Sequence, residues 1–272
     1  MVQQERQTIH RITSRSNLRV KGLLEKRDNY YFFEGEKLVE DILRKRMKVN
    51  ILVIHETKEK QLSISAGNVK ETWYVNDSVL KKLSSLKETP DFIAVLELQE
   101  KHIDFRRVKV IIALDSIQDP ANAGTVFRCA AAFGMDAVVF CGACVKPTNP
   151  KFLRAAQNAF FETQFQHFET IEELVGKAEK AGLNIYLTSS HHIPGAVGTL
   201  EPAEVRFPCL VLFGNEGQGL PGEYFRRYPA LRVSQTDKVE SLNIGVSACI
   251  IMHELRKLLL PTPRSGAVAQ KE

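Results

Sequence analysis

The chain has 272 residues, 44% of them hydrophobic and 25% charged, and a formal net charge of +5. These values exclude wholesale disorder and leave room for one large globular domain or two smaller ones. The mildly basic balance permits a polyanionic partner without requiring one. The five cysteines, Cys129, Cys141, Cys144, Cys209 and Cys249, are odd in number and sit in apolar runs, as expected of reduced thiols in a cytosolic protein. Cys141 and Cys144 form a lone C-x-x-C without a second ligand pair, so strand-end packing is expected there, and no metal. No apolar run approaches the ~20 residues of a membrane span, and residues 1–16 lack an apolar signal core, so a cytoplasmic location without a membrane segment is expected.

Residues 1–16 read as a polar, basic lead-in to a helix from Asn17 to Lys26. Tyr30–Phe33 reads as a strand, Glu36–Arg46 as a helix, and Val49–Ile54 and Thr72–Val75 as strands. Asp77 is the expected N-cap of a helix through Leu86, and Phe92–Leu98 closes the series as a strand. The alternation implies a smaller N-terminal α/β domain over 1–98. Residues 99–107 are charged and read as a linker, after which Val108–Leu114 forms a near-continuous apolar run, as in a buried parallel strand. A helix ended by Gly134 precedes further strands at Ala137–Cys141, Leu183–Leu187 and Cys209–Phe213. The final helix runs from about Asn243 to Leu260 and is stopped by Pro261 and Pro263. A second α/β domain over 108–261 with a parallel sheet, and a loose tail over 262–272, follow from this pattern.

Three loops stand out, because in open α/β sheets ligands bind where the carboxyl ends of strands meet such loops. Residues 114–134 combine Pro120, Asn122 and Gly124 with an arginine, Arg128, among Val126, Phe127 and Ala130. Asn122 there is a helix cap or a functional amide, and Arg128 a surface charge or a catalytic group. Residues 210–220 place Gly214, Gly217 and Gly219 within six residues around Asn215 and Glu216, which lets backbone approach a ligand closely. Residues 233–248 carry Ser241 and Asn243 ahead of an apolar helix, and an N-cap is the ordinary role for Ser241.

In order and spacing the three clusters resemble the signature motifs of the SpoU/TrmH family, within the SPOUT superfamily of RNA methyltransferases. Residues 12–21 and 33–39 are similar to that family's N-terminal RNA-binding module. The resemblance implies a C-terminal domain with a deep trefoil knot, a homodimer through that domain and the final helix, and S-adenosylmethionine as cofactor. It implies methylation of a ribose 2′-hydroxyl in structured RNA, ribosomal RNA ahead of transfer RNA. Arg128 is then the catalytic residue, with Asn122, Ser241 and Asn243 fixing it and the ribose, and Glu216 ordering the cofactor loop. Thr188, Gly214, Asn215, Gly217, Gly219, Val233 and Leu242 would hold the cofactor. Arg11, Arg15, Arg19 and Lys21, with Lys26 and Arg27 nearby, would contact RNA phosphates; a solvated basic face is the ordinary alternative. Ala156, Asn158 and Ser234 depart from the family pattern, where serine, glycine and proline are usual. These departures motivate a second reading, a non-catalytic RNA-binding protein on the same fold; a base-atom methyltransferase is a third. Arginine has a pKa of roughly 13.8. Making one a base near neutrality would require about 9 kcal/mol at about 1.36 per unit. An orienting and charge-stabilising role for Arg128 is therefore expected over proton abstraction.

Overall fold

The computed structural model describes residues 7–59, 68–97, 100, 102–189, 198–236 and 238–260. The tail expected over 262–272 lies outside them. In chain order the elements are β1 (Thr8–Ile12), α1 (Leu18–Glu25), β2 (Tyr30–Glu34), α2 (Glu36–Arg44), β3 (Val49–His55), β4 (Val69–Val75), α3 (Asp77–Leu83) and β5 (Phe92–Glu97). There follow β6 (Val110–Asp115), α4 (Pro120–Phe133), β7 (Ala137–Cys141), α5 (Pro150–Ala156), β8 (Gln164–Phe168), α6 (Ile171–Lys180) and β9 (Asn184–Thr188). The last elements are β10 (Thr199–Leu200), β11 (Cys209–Phe213), β12 (Ala230–Leu231) and α7 (Ile244–Leu259). These elements form two units: one from the described residues up to Glu100 together with Val145–Glu162, the other from the rest.

The first unit is built on a five-stranded mixed sheet in the order β1-β4-β3-β5-β2. β1 and β3 run parallel to β4, while β5 is antiparallel to both β3 and β2. Its core gathers Trp73, Val53, Ile93 and Val79, among others. β1 is an element that the polar lead-in concealed. It is an edge strand with only Ile12 buried, while Ile9 is 60% exposed, so no alternation marks it. The expected cap of α3 is also displaced by one residue. The Asn76 side chain, not that of Asp77, accepts from the Val79 amide at 3.2 Å. The helix stops at Leu83 rather than Leu86, and the Glu34 carboxylate accepts the Ser85 amide at 3.0 Å just beyond it.

Val145–Glu162, placed by sequence within the second domain, packs in the first unit instead. Its aromatic residues are the reason. Phe160 lies 4.6 Å from Tyr31 and 5.6 Å from Phe33 between ring centroids, and Phe161 lies 4.9 Å from Phe33. The Asn158 amide donates to Asp41 at 2.8 Å, and Lys146 pairs with Asp28 at 2.6 Å. Burying aromatic area of this size outweighs the proximity in sequence of β7 and β8.

The second unit holds seven parallel strands in the order β10-β12-β9-β11-β6-β7-β8. Every residue of β7 and β11 is buried, as a parallel sheet covered on both faces requires. The stretch expected to be a linker is partly anchored here. Ile103 and Phe105 are buried in this core, and the Ile103 amide donates to the Gln166 side chain at 3.1 Å. Residues 98, 99 and 101 lie outside the described residues.

α4 begins at Pro120, with Asp119 rather than Asn122 as its cap. The Asp119 carboxylate accepts from the Ala121 and Asn122 amides at 2.7 and 2.9 Å. Gly134, at φ 69°, ends it in the left-handed conformation as expected. We expect Asp119→Ala to lower the unfolding free energy by about 1 kcal/mol, the usual loss for such a cap. An unshifted urea midpoint would show that the cap contributes nothing. Among the described residues no helix is long and apolar enough to cross a membrane.

Candidate active site

The loops after β6 and β11 and the turn before α7 converge in the second unit, and hydrogen bonds between side chains join them. After β6 the chain turns sharply at Ser116, whose φ is 56°. Cys144 secures this turn: its Sγ–H donates to the Leu114 carbonyl at 3.1 Å, and its sulfur accepts the Ile117 amide at 3.2 Å. The second cysteine of the C-x-x-C is thus a loop staple, while Cys141 is buried in β7.

With Asp119 capping α4, the Asn122 side chain is left for another use. Its amide donates to the Glu216 carboxylate at 2.9 Å, and its oxygen accepts from the Asn243 amide, also at 2.9 Å. Asn243 is the cap of α7, its oxygen accepting from the Gly245 amide at 2.8 Å. Each amide orientation follows from its partners. The Asn243 oxygen faces backbone N–H groups, so its NH₂ faces Asn122; a carboxylate accepts only, so Asn122 turns its NH₂ to Glu216. Ser241, the ordinary candidate for the cap, is exposed two residues earlier.

After β11 the chain forms a tight loop. Asn215 closes it: its side-chain oxygen accepts from the Gly217 and Gln218 amides at 2.8 and 3.2 Å, and its NH₂ donates to the Ser116 carbonyl at 2.8 Å. Gly214 is the residue this fold cannot replace. A Cβ there would lie 2.5 Å from the Gly219 carbonyl carbon and 2.6 Å from the Leu220 nitrogen. Gly219 has φ 68° and bonds back to the Asn215 carbonyl.

These loops border a cavity of about 770 Å³. Thr188, Gly214, Asn215, Glu216, Gly217, Gly219, Val233, Ser241, Leu242 and Asn243 all line it, and Phe213, Leu231 and Ile251 add apolar walls. Among the described residues its ionisable lining side chains are the carboxylates Glu216 and Glu240, without a lysine or arginine. Arg128 is not part of that lining. It lies in the third turn of α4, exposed, and among the described residues no hydrogen bond or ion pair fixes it. The expectation that Asn122, Ser241 and Asn243 hold Arg128 is therefore not met among the described residues: the two asparagines bond to each other, and Asn122 bonds to Glu216.

The profile of the SpoU rRNA methylase family covers residues 109–253. The chain belongs to the SpoU rRNA methylase family. A second profile, that of the MRM3-like substrate binding domain, covers residues 16–94 of this SpoU methylase. The 23S rRNA (guanosine(2553)-2′-O)-methyltransferase of Bacillus subtilis is 28% identical over 229 residues, spanning 84% of this chain and 89% of that protein. An uncharacterised tRNA/rRNA methyltransferase of Synechocystis is 29% identical over 192 residues, spanning 68% and 67%. In fold the SpoU methylase is similar to the AdoMet-bound rRNA methyltransferase of Sinorhizobium meliloti, with a TM-score of 0.78, 24% identity, and 93% and 99% of the two chains covered.

None of the departures from the family pattern is among the residues lining the cavity. Ala156 is buried and Asn158 bonds to Asp41, both in the first unit, and Gln157 between them takes a φ of 50°. Ser234 is exposed. Sequence reading also passed over Asp119 and the loop-closing role of Asn215. Asp119-Pro120 was visible as a cap followed by a first-turn proline, the usual opening of a helix.

Proposed function

We propose that this SpoU methylase transfers the methyl group of S-adenosylmethionine to a ribose 2′-hydroxyl of ribosomal RNA. The observation that carries the proposal is the Asn243–Asn122–Glu216 chain beside a cavity whose ionisable lining is carboxylate alone among the described residues. A sulfonium and an ammonium group are cations, so such a lining favours them, and the glycine loop offers backbone groups to an adenosine. The name of the Bacillus subtilis relative, which specifies a guanosine 2′-O atom in 23S rRNA, supports the choice of atom and of RNA. When bound, the cofactor supplies an electrophilic methyl group. The chain's own part is to hold Glu216 through Asn122 and to offer Arg128, exposed on α4, to the RNA hydroxyl and phosphate. Digestion of methylated RNA to nucleosides tests the proposal: a 2′-O-methylnucleoside is expected, and a base-methylated product would overturn it.

The first unit is proposed to recognise the RNA. Its basic cluster is partly engaged: Arg11 pairs with Glu59 at 2.8 Å, Arg19 with Glu71 at 3.5 Å, and Arg15 donates to the Ser78 carbonyl at 2.8 Å. Arg27 is half-buried, 4.1 Å from the Phe32 ring centroid, and acts in packing. Arg11, Arg15, Arg19 and Lys21 remain exposed at their outer faces. Reversing Arg15, Arg19 and Lys21 to Glu should weaken RNA binding and flatten its salt dependence, by about 0.7–0.9 in log–log slope for each phosphate no longer neutralised. An unchanged slope would return the cluster to a solvated face. A fragment of 108–272 is not an expected stand-alone catalytic domain, since residues 145–162 have their packing partners in the first unit.

We further propose a homodimer through α7. Val246 and Leu258 are 48% and 41% exposed on it, apolar surface that a second copy would cover. Ile251 is 1% exposed and belongs to the protomer's core, so Ile251→Asp should unfold the protein rather than separate subunits. Val246→Asp with Leu258→Asp should give a folded monomer by light scattering. A wild-type monomer would overturn the assembly.

A further inference from the structure

α4 and α7 pack side by side in one register, residue 125 with 245, 129 with 249 and 133 with 253. The first pair is close: a Cβ on Gly245 would lie 3.3 Å from the Thr125 Cβ. The third pair is an edge-on contact between the Phe133 and His253 rings, 5.7 Å between centroids. Between them, one helical turn from each, stand Cys129 and Cys249, so the register of the two helices sets the two thiols beside each other. Both are partly exposed. Neither the cavity lining nor the asparagine chain includes them.

We propose that Cys129 and Cys249 form a thiol pair that closes to a disulfide between α4 and α7 by exchange with a low-molecular-weight disulfide. The close approach at the 125–245 pair and the ring contact at the 133–253 pair hold the helices side by side across this turn, where a disulfide needs a Cα separation of roughly 4.4–6.8 Å. Burial pushes the Cys129 thiol up to about 11, and the neighbouring Cys249 sulfur adds to that rise. Cys129 is therefore the slower attacking sulfur. The Cys249 thiolate attacks the small disulfide, forming a mixed disulfide and releasing one small thiolate. With Cys249 capped, its contribution to holding Cys129 protonated is gone. The Cys129 thiolate then displaces the second small thiolate from the Cys249 sulfur. Two protein thiols are oxidised, one small disulfide is reduced to two thiols, and the two protons pass to those thiols. The bond would join α4 next to Arg128 to the helix that Asn243 caps. Any effect on methyl transfer rests on the proposed function; formation of the bond does not.

The test uses the full chain with glutathione disulfide as the probe, followed by alkylation, digestion and mass spectrometry. Loss of two of the five thiols, with Cys129 and Cys249 recovered in one linked pair of peptides within one chain and released by dithiothreitol, is expected. Cys249→Ser should leave the Cys129 thiol largely unreacted, and Cys129→Ser should stop at glutathione on Cys249. Retention of all five thiols in the wild type overturns the proposal. So does a bond between two chains, or loss of two thiols in either variant. Methyl transfer by the oxidised protein is read separately: unchanged transfer with the bond formed would remove a regulatory effect and leave the thiol pair itself standing.

Discussion

Arg128→Ala should reduce methyl transfer by about 10²–10³-fold, the range expected for loss of one donor aimed at developing negative charge on a reacting oxygen. Binding of S-adenosylmethionine should change little. Arg128 is exposed on α4 and outside the cavity lining, so its removal leaves the carboxylates and glycine loop intact. Among the described residues no hydrogen bond or ion pair holds it. In the proposed function it is free to engage an RNA phosphate and ribose, the substrate completing its geometry. Arg128→Lys should restore little, because a point ammonium lacks the planar fork that engages two oxygens together. Titration calorimetry with the cofactor and single-turnover methylation separate the two effects. Loss of cofactor affinity with the methylation step intact would remove Arg128 from the chemistry.

Gly214→Ala should abolish cofactor binding and destabilise the second unit by about 1–3 kcal/mol or more, as overpacking against unyielding atoms does. The atoms that a methyl group would meet are backbone: the Gly219 carbonyl carbon at 2.5 Å and the Leu220 nitrogen at 2.6 Å. Neither can rotate away, so the loop must open. Gly217 is a milder position, where an added Cβ meets only the Asn215 side-chain oxygen, at 3.4 Å. Gly217→Ala should therefore leave the unit folded, and any loss of affinity there would report on the ligand itself. Thermal unfolding with and without S-adenosylmethionine checks both. A Gly214→Ala protein with wild-type stability and affinity would show that the loop is not held as tightly as its geometry implies.

The second unit's strands were legible because a parallel sheet covered on both faces demands continuous apolar runs, and Val110–Leu114, Ala137–Cys141 and Cys209–Phe213 are such runs. β1 was not legible, since an edge strand with one buried residue carries no periodic signal. The segment 145–162 was misassigned for a different reason. Phe160 and Phe161 announce burial, but nothing local says against which sheet. At the site, composition and order brought forward Asn122, Glu216, Ser241, Asn243 and the loop glycines, and the family resemblance added Thr188, Val233 and Leu242, which line the same cavity. Their wiring could not be read that way. Whether Asn122 caps its helix or reaches Glu216 depends on Asp119 taking the cap first, and whether Ser241 or Asn243 caps α7 depends on where that helix starts. Residue types and spacing thus determined the class of fold, the loops that matter and the family. The direction of each amide, the separation of Arg128 from the asparagines and the pairing of Cys129 with Cys249 were decided by tertiary structure. Hydrogen bonds act over about 3 Å, and only packing brings Asn122 and Asn243, 121 positions apart in the chain, within that range.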